Sequence, residues 1–261
     1  PLTAREKIAD RAHVRRVHAI ATVFSVELVD GAAALGFDAF KSASPDIVHR
    51  PLLEAMAGTE RPLIVSTGAA TIAEVTRAAA WLSGIADRLA MLQCVSSYPT
   101  PLEQAALSGI EAIARATGLP TGYSDHTSGS ETGALAVAAG ACVLEKHLTY
   151  DKNAAGPDHS ASLDASEMRD YIALARQAWS QEAWTTGRGS AGGIGTAAAK
   201  RVLDVERDVR LASRQSIVLR RAMRAGEIVR HEDVNFKRPG SGLEPWRLGE
   251  VIGRRLATDV D

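Results

Sequence analysis

Short apolar runs alternate with longer amphipathic or alanine-rich ones along the first two thirds of the chain. The short runs, at 17–24 (VHAIATVF), 37–43 (FDAFKSA), 62–66 (PLIVS), 89–95 (LAMLQCV), 119–124 and 141–147 (ACVLEKH), read as strands. Helical stretches fall between and after them, near 28–35, 47–57, 71–82, 103–117, 129–139 and 165–180, with one more at 3–14 ahead of the first strand. Thr71 with Glu74 three residues on predicts a capping box, and Asp164 or Ser166 a cap for the helix near 165–180. Such alternation implies parallel strands joined by right-handed crossovers. The count is six units, whereas a closed (β/α)8 barrel needs eight. The pattern therefore predicts either an open six-stranded sheet or a barrel lacking two units at its front.

The grammar changes after residue 183. Residues 184–212 begin with a glycine-rich run and continue with a charged one, and they read as a linker, flexible in its first half. Residues 213–261 carry short β-like runs between Gly and Pro turns, which suggests a compact β-rich module. A unit that small has a thin core and is expected to lean on another surface.

Composition narrows the class. Of 261 residues 46% are hydrophobic and 23% charged, an ordinary globular balance. Thirty Lys and Arg against 31 Asp and Glu leave a net charge of −1, which offers no electrostatic footprint for nucleic acid. No run approaches the roughly 20 apolar residues that span a bilayer, so no membrane partner is expected. No secretory leader opens the sequence, and Cys94 and Cys142, each inside an apolar run, are expected to be buried free thiols of a cytoplasmic protein. The chain starts at Pro1, so the natural start is expected elsewhere.

Parallel α/β folds carry chemistry at the C-terminal ends of their strands. Those positions hold Thr22, Lys41, Ser44, Ser66, Ser96, Tyr98, Ser124, Asp125, His126, Glu145, Lys146 and His147. Lys41 and Lys146 sit in otherwise apolar strands, where a charge is costly unless paired. His126 and His147 end consecutive strands, and neighbouring strands lie about 4.8 Å apart. The two imidazoles then either share a divalent ion or line a polar rim as satisfied histidines. Lys41, Ser44, Ser66 and Thr67-Gly68 have the makings of a phosphate cradle; alternatively, Lys41 forms a Schiff base with a carbonyl substrate. Asp158, in the loop after the second histidine, either binds sugar hydroxyls or begins a turn.

Together these runs resemble the sialic acid synthase family. The resemblance rests on Phe40-Lys41-Ser42-Ala43-Ser44, Ser66-Thr67-Gly68, Cys94-Val95-Ser96-Ser97-Tyr98-Pro99-Thr100-Pro101 and Gly122-Tyr123-Ser124-Asp125-His126-Thr127. It continues through Glu145-Lys146-His147-Leu148-Thr149 and Gly156-Pro157-Asp158-His159-Ser160-Ala161-Ser162-Leu163. The C-terminal unit, from Arg214-Gln215-Ser216-Ile217-Val218 to Lys237-Arg238-Pro239-Gly240-Ser241-Gly242, resembles the antifreeze-like (SAF) domain.

The resemblance implies a TIM-type (β/α)8 barrel lacking its first two strand-helix units over residues 1–183, the linker 184–212, and the SAF domain 213–261. The native product is accordingly expected to extend upstream by two units. It implies a metal-dependent condensation of phosphoenolpyruvate with an N-acylated aldose, N-acetylmannosamine or a relative, giving a nine-carbon 2-keto-3-deoxy acid and phosphate. His126 and His147 would hold manganese or magnesium. Thr22, Lys41, Ser44, Ser66, Ser96 and Ser124 would surround phosphoenolpyruvate, with Lys41 and Lys146 balancing its charge. Tyr98, Asp158, Asp46 and, from a partner chain, Arg238 would face the sugar. The assembly implied is a domain-swapped homodimer, with Arg238 closer to the partner's barrel than to its own. Other readings of the same residues are a different phosphoenolpyruvate–aldose synthase, a Schiff-base aldolase, or a noncatalytic sugar-binding or scaffold homologue.

Overall fold

The computed structural model describes residues 2–180 and 200–260. Its main body alternates helix and strand: α1 (Leu2–Val14), β1 (Ile20–Thr22), α2 (Val29–Ala33), β2 (Ala39–Ser42), α3 (Arg50–Ala57) and β3 (Leu63–Ser66). It continues with α4 (Ile72–Trp81), β4 (Leu89–Cys94), α5 (Ser108–Thr117), β5 (Thr121–Asp125), α6 (Thr132–Ala138), β6 (Leu144–Lys146) and α7 (Ala165–Ser180). All six strands are parallel, and each pairs with the next in sequence.

Local chemistry explains several boundaries. Thr71 Oγ1 accepts the Glu74 amide while Glu74 accepts the Thr71 amide, the reciprocal cap that starts α4. Asp164 Oδ1 accepts the amides of Ser166 and Glu167, so Asp164 is the residue that caps α7. α5 stops at Gly118, whose φ of 70° closes the helix in the left-handed region. Phe40, Leu52, Leu53, Met56, Leu63 and Met91 are fully buried between the sheet and α2–α5. Each such side chain stabilises the fold by about 1.5–3 kcal/mol relative to exposure.

The sheet curls. Lys41 Nζ on β2 lies 3.3 Å from Glu145 Oε1 on β6, four strands away in the sheet order. A flat sheet would hold those strands about 19 Å apart. Among the described residues no hydrogen bond joins β1 to β6, so the architecture is a half-barrel with two open edges, not a closed six-stranded barrel. The edge also corrects one cysteine: Cys94 is buried on β4, but Cys142, just before β6, is exposed.

The run after residue 199 departs from the expected linker. The glycine-rich stretch 185–195 lies outside the described residues, but 200–214 packs on the main body. Lys200 is buried and donates to the Cys94 carbonyl at 3.0 Å, and Glu206 is wholly buried. Helix α8 (Arg207–Ser213) sends Arg210 to Glu74 in a two-bonded fork of 2.8 and 2.9 Å, and Arg214 adds a third contact at 2.6 Å. Charges that read as a solvated run are thus paired across the body.

The C-terminal unit contains β7 (Ser216–Leu219) antiparallel to β8 (Val234–Lys237). Its core is thin, with Met223, Val229 and Val234 fully buried. It leans on the barrel of its own chain: Trp246 packs against the main core beside Trp81 and Arg77, and Phe236 meets His49 edge-to-face with ring centres 4.3 Å apart. Among the described residues no helix is long and apolar enough to cross a membrane.

Candidate active site

Side chains alternate across each strand, and the concave side of the half-barrel collects one set. From β2 comes Lys41, 14% exposed, aimed at Glu145. From the loop after β2 comes Ser44, whose hydroxyl donates to Ser66 Oγ at 2.9 Å and accepts the Gly68 amide at 2.9 Å. A Cβ at Gly68 would collide with the side chains of Ser96, Ser44 and Cys94, so only glycine lets these groups converge. The result is a buried cluster of three hydroxyls, Ser44, Ser66 and Ser96, and the strand register puts Lys41 on the same face of the sheet as Ser66. Thr22 ends β1 in register with Lys41, and Ser124 lies on β5 in register with Cys94 and Glu145.

The two histidines meet at the same mouth. Ring centres of His126 and His147 are 5.4 Å apart, and the Tyr98 ring lies 4.1 Å from the first and 5.9 Å from the second. His126 Nδ1 is 2.9 Å from the Val95 carbonyl, which only accepts. Nδ1 therefore carries a proton, which leaves Nε2 as the nitrogen that could serve a metal. Burial depresses the His147 imidazole, and the nearby His126 pushes it the same way. Burial acts on His126 too, but the adjacent Cys94 sulfur and the Val95 carbonyl outweigh it and raise that ring. Asp158 lies close enough to act electrostatically on both Tyr98 and His147.

Lys146 is not part of this mouth. It follows Glu145 by one position, so the pleat turns it to the outer face of the sheet. There its Nζ lies 3.2 Å from Asp125 Oδ2 and donates to the Thr127 carbonyl. It lines a cavity of about 440 Å³ with Leu144, Val137, Met168 and Tyr171, between β6 and helices α6 and α7. The assignment of Lys146 to substrate charge is corrected accordingly, and Glu145 takes its place as the charged partner facing Lys41.

Asp46 and Arg238 mark the side of the mouth toward the C-terminal unit. Asp46 is 1% exposed; its Oδ1 accepts from Gln215 Nε2 at 3.4 Å, and its Oδ2 is buried without a hydrogen-bond partner. Burial drives this carboxyl up to about 7, against the opposing pull of Arg238, Gln215 and Lys41. The Arg238 charge therefore reaches Asp46 of its own chain. A carboxyl raised on folding costs nothing well below pH 4, where both states are protonated, costs little at pH 4, and costs most once pH passes about 7. Asp46→Asn is expected to stabilise the chain at pH 8, on the order of 1–4 kcal/mol, and to change little at pH 4. Urea denaturation at the two pH values checks this; equal effects at both would show that ionisation is not involved.

The sequence motifs did not reveal Cys94, Lys200 and Glu206 as neighbours of this cluster. Lys200 and Glu206 stand far along the chain in a run without periodicity; Lys200 follows three alanines, but Glu206 is one of several charges in a row, so nothing local marks it as buried.

A parallel half-barrel with lysine, hydroxyls and paired histidines at the C-terminal ends of its strands defines an α/β enzyme of the TIM-barrel type. Residues 1–185 match the NeuB family and residues 214–261 match the SAF domain. The chain belongs to the NeuB family. It is 33% identical over 258 residues to the N,N'-diacetyllegionaminic acid synthase of Legionella pneumophila, covering 97% of this chain and 69% of that protein. Its fold matches the spore coat polysaccharide biosynthesis protein SpsE of Bacillus subtilis with a TM-score of 0.89 at 30% identity, over 97% of this chain and 73% of that one. It also matches the N-acetylneuraminic acid (sialic acid) synthetase of Leptospira borgpetersenii, with a TM-score of 0.67 at 28% identity, over 80% and 69% of the two chains.

Proposed function

We propose that the mouth condenses phosphoenolpyruvate with the open-chain aldehyde of an N-acylated sugar. The carrying observation is the convergence of Lys41, three buried hydroxyls and the His126–His147 pair on one concave face. The names of the synthases it resembles support the same chemistry.

In this reading Lys41 and the hydroxyls of Ser44, Ser66 and Ser96 hold the phosphate and carboxylate, with Thr22 and Ser124 at the rim. Glu145 keeps Lys41 extended across the mouth. Tyr98, Asp158, Asp46 and Arg238 face the sugar. C3 of phosphoenolpyruvate forms the new bond to the aldehyde carbon, whose oxygen gains a proton. Water adds at C2, and the hemiketal phosphate collapses to the ketone as its C–O bond breaks and phosphate leaves. Charge develops inside a site of fixed dipoles, where it is stabilised more than in water.

The histidine pair suits a manganese or magnesium ion in part. Among the described residues no group of three or more His, Cys, Asp and Glu gathers to hold a metal, so His126 and His147 would supply two ligands and leave positions for water or substrate. A bound ion would supply Lewis acidity toward the aldehyde oxygen. The reading extends to a cytoplasmic homodimer, but the C-terminal unit packs on its own chain's body and sets Arg238 against its own Asp46, so it includes no exchange of that unit between chains.

Lys41→Met tests the assignment. The KM for phosphoenolpyruvate is expected to rise about a hundredfold, the scale of a lost charge-assisted contact, with the sugar KM little changed. Initial-rate phosphate release with either substrate varied checks it. Equal rises for both substrates would sink the cradle, and borohydride trapping of a carbonyl substrate on Lys41 would show an imine enzyme instead.

A further inference from the structure

We propose that Glu206 is a positioning residue for the anion cradle, acting through the backbone of Ala69 and Ser96; this rests on the cradle reading above. Ala69 follows the cradle glycine and has φ of 51°, the left-handed region that a side chain disfavours. Such a conformation persists only where its surroundings over-determine it. Here both of its peptide groups are claimed from the run after residue 199. The Ala69 amide donates to Glu206 Oε1 at 2.6 Å, and its carbonyl accepts from Arg210 and Arg214.

The same Glu206 oxygen accepts the Ser96 amide at 2.8 Å, while its other oxygen accepts the Leu203 amide at 3.0 Å. One carboxylate thus ties the loop after β3 to the loop after β4. Those loops carry Gly68 and Ser96, whose approach makes the cradle. Glu206 is 0% exposed, so it meets neither solvent nor substrate directly. Lys200 braces the same point by donating to the Cys94 carbonyl. By tying the two loops together, the carboxylate fixes where the Ser96 hydroxyl stands.

Inorganic phosphate is the probe, measured by calorimetry on the chain, with hydrogen–deuterium exchange followed over residues 67–72 and 94–98. Glu206→Ala is expected to weaken phosphate binding and raise the phosphoenolpyruvate KM about ten- to a hundredfold, with the sugar KM within about twofold. Exchange in both segments is expected to accelerate. Adding Ala69→Gly, which removes the steric objection to the left-handed backbone, is expected to restore part of the phosphate affinity. A folded Glu206→Ala with unchanged phosphate affinity, or no restoration by Ala69→Gly, overturns the proposal. If Glu206→Ala does not fold, Glu206→Asp decides: its shorter side chain cannot reach the Ala69 and Ser96 amides together, and unchanged exchange in both segments would refute the clamp. If the wild-type chain binds no phosphate, the cradle reading falls and takes this inference with it, whatever the exchange data show.

Discussion

Replacing His126 with alanine is expected to lower the rate of condensation by roughly three orders of magnitude. On the proposed reading an ion held by this ring would supply Lewis-acid stabilisation worth several kcal/mol, and each 1.36 kcal/mol or so is tenfold. The ring also serves the site's order: its Nδ1 is bonded to the Val95 carbonyl, and its face is covered by Tyr98. His126 is 6% exposed, so circular dichroism of the variant first checks that it folds. Steady-state rates with and without chelator check both claims. A variant that keeps chelator-sensitive turnover near the wild-type rate would remove His126 from the metal assignment, and with it the pairing to His147.

The largest effect on stability is expected at Glu74. Its side chain is 8% exposed and bonds Arg210 and Arg214 together, so Glu74→Ala leaves two guanidiniums beside a buried space. Removing one member of a buried ionic network costs about 3–5 kcal/mol. Burial pushes the Glu74 carboxyl up, but the two guanidiniums and the Thr71 amide outweigh it and hold it far below the ordinary range. A depressed carboxyl contributes stability that is complete above its unfolded value, near 4.5, and is lost as pH falls below it. Wild-type urea midpoints should therefore drop from pH 6 to pH 3, and the Glu74→Ala midpoints should drop less. Parallel pH profiles for the two proteins would show that the network is not the source.

Much of the main body was legible because period-2 and period-3.6 patterns are local. The six apolar runs became six strands, trimmed by one to three residues at most ends, and the Thr71–Glu74 signal became a real cap. The histidine pair followed from strand spacing alone. Lys146 was misplaced because a motif names neighbours in sequence, whereas the pleat decides which of Glu145, Lys146 and His147 share a face. The packed run after residue 199 was missed for a different reason. Lys200 and Glu206 find their partners more than a hundred residues back, so their burial leaves no periodic trace.

That separation also orders events in time. Each strand of the sheet pairs with the next one made, so the half-barrel can assemble as it is synthesised. Glu206 follows Ala69 by 137 residues and Ser96 by 110. At typical synthesis rates of about 5–20 residues per second, the cradle loops wait roughly 5 to 30 seconds for the side chain that fixes them. Closing so long a loop costs little more than closing a shorter one, since each doubling adds only about 0.6 kcal/mol. The delay is thus kinetic and not thermodynamic: the nascent chain holds a folded sheet well before the loops of the proposed anion site are fixed by the C-terminal segment.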